Sequence, residues 1–222
     1  MSLLFMLIIV AGLPLLAAIS YRNIKTLEKE EGDLHLAKAP IYFQSMLMQG
    51  GICLLAYYTG IKEQLSISLQ SEWNLFSILS GFIFLVIALG FAYVGQRKQK
   101  PEGTLRYLLP ETNNDRILWV LAVVVAAFCE EYIYRGVLYQ LLSLQTEGNV
   151  WAAIMLSAIV FGFGHGTQGE KAIIQIIPFA IGFHLLVVIS HGLLLPMIVH
   201  FIYNISVDLL FGKQITGQKQ DP

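Results

Sequence analysis

Residues 117–142 read ILWVLAVVVAAFCEEYIYRGVLYQLL. The run is long enough to cross the hydrocarbon core of a bilayer, which takes about 20 predominantly apolar residues in a helix. Glu130, Glu131 and Arg135 interrupt it near its middle. Insertion scales put an ionic residue at mid-bilayer at about 2.5 to 3.5 kcal/mol, so the three together cost roughly 8 to 10 kcal/mol before any pairing. Such residues face a bundle interior or a wet cavity, and the default reading is a functional site. The bland alternative is a Glu-Arg pair that only glues helices together.

Six further apolar runs lie on either side: 3–20, 41–61, 73–95, 150–163, 172–190 and 193–211. Together they predict an all-α fold, a polytopic membrane bundle of about seven transmembrane helices, with room for an eighth, short helix in the polar loops. Run 150–163 is short and run 172–190 contains Pro178, so these two are expected to tilt, kink or unwind, with neighbouring protein replacing the lost backbone hydrogen bonds. The composition agrees: 56% of residues are hydrophobic and 13% charged, against about a quarter charged in soluble domains. With net charge −1 and no basic block interleaved with aromatics, nucleic acid is excluded as the main partner. Cys53 and Cys129 sit in apolar runs without CxxC spacing and say little about redox compartment. Run 3–20 lacks the basic start and the small-residue cleavage site of a secretory signal, so it reads as the first membrane helix.

Loop charges predict orientation. Arg22, Lys25, Lys29, Lys38, Arg97, Lys98, Lys100, Arg106, Arg116, Lys171, Lys213 and Lys219 fall on one side of seven alternating helices, and only Lys62 on the other. The expected arrangement is a multi-pass protein of the cell membrane, N-terminus outside and C-terminus cytoplasmic. It forms one membrane domain: helices one to three with their loops over 1–116, the polar-bearing helices over 117–211, and a tail over 212–222. Tyr42, Tyr57, Tyr58, Trp73, Tyr93, Trp119 and Trp151 lie near helix ends, as interfacial anchors do.

Helical spacing divides the acidic pair. Glu131 and Arg135 are four apart and share a face, as do Glu130 and Tyr134. Adjacent carboxylates resist ionising together, and a guanidinium stabilises the one it pairs with. Glu131 therefore takes the cation and Glu130 is left as the proton acceptor. His165 closes the segment Phe161-Gly-Phe-Gly-His165, and His200 is followed four residues on by Asn204. A single histidine in such a helix is more often a packing residue than a catalyst. Acid, base and amide groups on three helices can nevertheless converge on one cavity, as bundle sites do. His184 and His191 read as satisfied core or interfacial residues, and Asp208 as exposed near the cytoplasmic end. There is no His-Glu-x-x-His helix, no Gly-x-Ser-x-Gly turn and no intramembrane aspartate pair. The glycines at 162, 164 and 166 suit close helix approach or local unwinding rather than a nucleotide. Cys129 beside Glu130 is a poor nucleophile, because thiols buried in apolar surroundings are inert.

Glu130-Glu131-x-x-x-Arg135, Phe161-x-x-x-His165 and His200-x-x-x-Asn204, in this order, resemble the motif set of the CPBP (Abi) family of CAAX prenyl endopeptidases and bacteriocin-processing or immunity membrane proteins. The resemblance covers roughly 117–211; the first three helices match only as hydrophobic segments. It implies that Glu130 activates the attacking water with help from His165, that His200 and Asn204 stabilise the oxyanion, that Glu131 and Arg135 hold the architecture, and that Phe161 packs around the site. It also implies an intramembrane endopeptidase acting on a membrane-associated protein or peptide in the lipid bilayer, with no cofactor required. Spacing alone leaves open a zinc held by Glu130, His165 and His200 with water in the fourth position. Two other classes compete: a non-catalytic immunity or partner-binding protein, and a transporter or proton pathway, although no inverted repeat supports the latter.

Overall fold

A computed structural model describes residues 1–32, 34, 36–98 and 105–216, without the side chains of 96–98, 105–106 and 213–216. Lys100, Lys219 and the tail end 217–222 lie outside the described residues, as do the side chains of Arg97, Lys98, Arg106 and Lys213. Everything described is helix or connection. The elements are α1 (Ser2–Glu31), α2 (Lys38–Lys62), α3 (Leu75–Lys98), the single turn α4 (Leu105–Leu108), α5 (Asn113–Gln145), α6 (Val150–Gly164), α7 (Glu170–Ser190) and α8 (Leu194–Thr216). Six of these are long and apolar enough to cross a membrane. The seventh long helix, α6, has 15 residues and spans roughly 22 Å, short of the ~30 Å hydrocarbon core. The polytopic bundle expected from the sequence is thus present, with α4 as the short extra helix in a loop.

Local chemistry sets the helix ends. Thr112 caps α5 with a capping box, its hydroxyl accepting from the Asp115 N–H while the Asp115 carboxylate accepts from the Thr112 N–H. Asn149 caps α6 through the Ala152 N–H at 3.0 Å. In α1 a π-helical turn, Leu7–Gly12, ends two residues before Pro14, and the Leu13 N–H bonds the Ile8 carbonyl five residues back. The wider turn accommodates a ring that would otherwise strike the preceding turn. Pro178 does not unwind α7, which runs as helix across it; its neighbour Phe179 is held edge-on by Phe84 and Phe91 of α3. The unwinding falls instead after Gly164, where α6 gives way to a 3₁₀ turn, Gly166–Gln168.

Helix α5 stands at the centre. Its N-terminal half lies between α2 and α8, while α2, α6 and α7 surround a π-helical turn, Glu131–Leu138. Helix α1 packs on α6 and the 3₁₀ turn and sends Phe5 and Ile9 into the core. The non-helical stretch 65–74 folds into the end of the bundle against the α7–α8 turn. There the N–H groups of Leu193 and Leu194 bond the carbonyls of Ser68 and Leu69, and the Glu72 N–H bonds the Ser190 carbonyl. Irregular backbone among membrane helices survives only with such internal partners. Gly192 is required at this crossing, since a Cβ would collide with the Gln70 carbonyl.

Several expectations need correction. Tyr42 and Trp119 are buried rather than interfacial; the Tyr42 hydroxyl donates to the Leu108 carbonyl at 2.8 Å and ties α2 to α4. Tyr57, Tyr58, Trp73, Tyr93 and Trp151 are exposed, as anchors should be. Asp208 is buried, because α8 brings it beside the start of α5, where Arg116 lies 3.8 Å away. His184 is buried against Tyr139, and its Nε2 has no hydrogen-bond partner among the described residues, so it is not a satisfied core histidine.

Candidate active site

The motif residues converge. Glu130 and Glu131 lie where α5 enters its π turn, His165 lies at the C-terminal end of α6, and His200 and Asn204 are one turn apart on α8. Adjacent on a helix, the two glutamates point about 100° apart, and the bundle gives them opposite surroundings.

Glu131 is fully enclosed. Its Oε1 lies 3.2 Å from Arg135 Nη1 and 2.8 Å from His200 Nδ1. The guanidinium is held between two rings, 4.3 Å from the centroid of Phe161 and 5.2 Å from that of Phe183. Its Nη2 donates to the Ala180 carbonyl of α7 at 3.4 Å. A desolvated cation over an aromatic face gains about 2 kcal/mol or more. Phe161 is therefore more than filler: its ring lies under Arg135, edge-on to Tyr134, and its carbonyl accepts from the His165 ring. The cluster is not fully satisfied, with Glu131 Oε2 and Arg135 Nε lacking hydrogen-bond partners among the described residues.

Glu130 faces a different space. Its side chain retains 12% exposure and that of His165 22%, against none for Glu131. Oε1 accepts from the Gln49 side-chain amide of α2 at 2.7 Å. Oε2 lies 3.9 Å from His165 Nε2 and 4.0 Å from His200 Nε2. These gaps are too long for direct hydrogen bonds and suit a bridging water. His165 Nδ1 lies 2.8 Å from the Phe161 carbonyl, which can only accept, so Nδ1 carries a proton and Nε2 is the ring nitrogen turned toward Glu130. Asn204 is half-buried on α8 and makes no side-chain hydrogen bond among the described residues.

The π turn serves this arrangement. In the π turn over 131–138 the Tyr134 carbonyl accepts from the Tyr139 N–H five residues on, and also from the buried Ser157 hydroxyl of α6 at 2.9 Å. Turns of this kind recur at functional sites. Close approach of α6 to α7 is set by Gly162, where a Cβ would lie 2.7 Å from Ile177. Glu130, His165 and His200, the sequence candidates for zinc, do come together, yet among the described residues no three His, Cys, Asp or Glu side chains are arranged to hold a metal ion. Gln49, Ser157 and Phe183 were not singled out by sequence; a polar residue in an apolar run, as at 49 and 157, was the signal available.

Residues 112–206 match the family described as Type II CAAX prenyl endopeptidase Rce1-like. The site-bearing part of the chain is similar to that family. The match begins at the cap of α5 and ends two residues beyond Asn204, so it contains every motif residue and none of α1 to α3. It agrees with the CPBP resemblance read from the motifs and supports a membrane endopeptidase of the CAAX-prenyl type. No curated protein and no solved structure matches the chain.

Proposed function

We propose that the chain is a glutamate-dependent endopeptidase that hydrolyses a peptide bond near the membrane-bound end of a lipidated protein or peptide. The observation that carries this reading is the pair Glu130 Oε2 and His165 Nε2, 3.9 Å apart, with a second ring nitrogen, His200 Nε2, 4.0 Å from the same carboxylate oxygen. A water seated there donates one hydrogen to the carboxylate and one to the neutral imidazole, which leaves its lone pair free for a carbonyl carbon. As the C–O bond forms, Glu130 takes the proton, and it later returns that proton to the leaving amine. His200 and Asn204 are the donors for the oxyanion. With Nδ1 on Glu131, His200 Nε2 donates only as the imidazolium.

Loop charges favour an N-terminus outside and a cytoplasmic C-terminus, which puts α4 and the charged ends of α1, α2 and α5 on the cytoplasmic side. The reactive helices over 117–211 and the first three helices act as one membrane domain. Between CAAX-type termini and peptide signals such as bacteriocin precursors, the Rce1-like match favours the first.

The test is cleavage of a panel of quenched fluorescent peptides, prenylated and unprenylated, by detergent-purified protein with and without chelator. The expected result is cleavage of prenylated peptides that survives chelator. Chelator-abolished cleavage restored by zinc would replace the water-on-glutamate mechanism with a metal-dependent one. No cleavage of any lipidated peptide, together with proton or solute flux in liposomes, would favour a transport pathway.

A further inference from the structure

We infer that Gln49 is a positioning residue for Glu130, holding one carboxylate oxygen so that the other is presented to the water. The inference rests on the reading of Glu130 as general base and deepens it, since neither the motif set nor the family match reaches α2.

Its starting point is the 2.7 Å hydrogen bond from Gln49 Nε2 to Glu130 Oε1, made between residues 81 apart in the chain. A carboxylate at the end of a flexible side chain rotates freely about its last torsion. Fixing Oε1 on α2 leaves Oε2 as the oxygen between His165 and His200, where the distances of 3.9 and 4.0 Å are found. A base must lie within hydrogen-bond reach of the proton it takes, and a small displacement of it costs rate steeply.

The chemistry of the partner matters as much as its place. Glu131 is given a cation, Arg135, at 3.2 Å. Glu130 is given a neutral amide. A lysine or arginine at position 49 would pair with Glu130 as Arg135 does with Glu131 and weaken it as a base, whereas an amide orients the oxygen and adds no charge. An apolar residue would leave Oε1 without a partner where desolvation is costly. Gln49 is half-buried, and its side-chain amide reaches Glu130 Oε1 across the space between α2 and α5.

A purely structural role, a polar tie between α2 and α5, predicts lowered stability with an unaltered site. The experiment separates the two with Gln49→Met, which keeps length and removes the donor, and Gln49→Ala as the second variant. Steady-state cleavage of a peptide that the wild type processes should show kcat lowered roughly 10- to 100-fold in both, the size expected for losing one hydrogen bond to a charged group, with KM within about twofold. Difference infrared spectroscopy needs no substrate. Wild type minus Gln49→Met should show a shifted carboxylate stretch that vanishes when the same subtraction is made on a Glu130→Gln background. Unchanged kcat, or a matching rise in KM, while cleavage still depends on Glu130 overturns this inference and leaves the endopeptidase reading intact. Absence of the infrared shift overturns it as well. If the wild type cleaves nothing but the infrared shift is present, the hydrogen bond stands and the endopeptidase reading is what fails.

Discussion

Glu130 and Glu131 are neighbours with the same side chain, yet the bundle treats them as different substances. One side of α5 is dry: Glu131, Arg135, Phe161 and Phe183 are packed without water access, and the ion pair is bracketed by rings. The other side is partly open, and there the Glu130 carboxylate has Gln49, His165 and His200 within 4.0 Å. A buried ion pair adds little net stability but is costly to break, whereas a partly solvated carboxylate is free to exchange a proton. The proposed mechanism follows this contrast, giving architecture to one residue and chemistry to its neighbour.

The predictions probe that contrast in descending order of effect. Arg135→Ala should be the most damaging to the fold, because it strands the Glu131 charge in an enclosed site. A loss of about 3 to 5 kcal/mol is expected, read as a collapse of the folded fraction in detergent; near-normal stability would show that the dry side is not held by the pair. His200→Ala or Asn204→Ala should lower kcat roughly 100- to 1,000-fold, the size of losing one oxyanion donor. His200→Ala should also weaken the fold because it leaves Glu131 Oε1 with Arg135 alone. An equal stability loss in Asn204→Ala, which makes no such contact, would contradict the assignment. Asp208→Asn should be the mildest, costing under about 1 kcal/mol with cleavage unaffected, since its partner Arg116 is half-exposed at 3.8 Å.

Much of this was legible in the sequence, and the reasons are physical. Charges at mid-membrane are so expensive that Glu130, Glu131 and Arg135 announce a site, and fourfold spacing fixes which of them pair. The helix count follows from apolar run length. What escaped was everything set by which helix faces which. Gln49 in its apolar run carries no local sign that its partner is Glu130. Asp208 reads as exposed because it lies near the end of α8, and only the return of that helix to the start of α5 buries it. Tyr42 reads as an anchor for the same reason, and α4, which takes its hydrogen bond, is too short to be seen as a period. His184 shows the converse: its apolar surroundings were plain, but the missing partner at Nε2 was not.

The division of labour between the two glutamates is the central claim, and one paired measurement tests it most directly: cleavage rate and thermal stability in detergent for Glu130→Gln and Glu131→Gln, side by side with the wild type. The account predicts that Glu130→Gln melts like the wild type and cleaves at least about 1,000-fold more slowly, a loss of at least ~4 kcal/mol of transition-state stabilisation. It predicts that Glu131→Gln melts at lower temperature and keeps measurable cleavage. A Glu130→Gln protein that cleaves at the wild-type rate, or a Glu131→Gln protein that is fully stable and fully inactive, would contradict it.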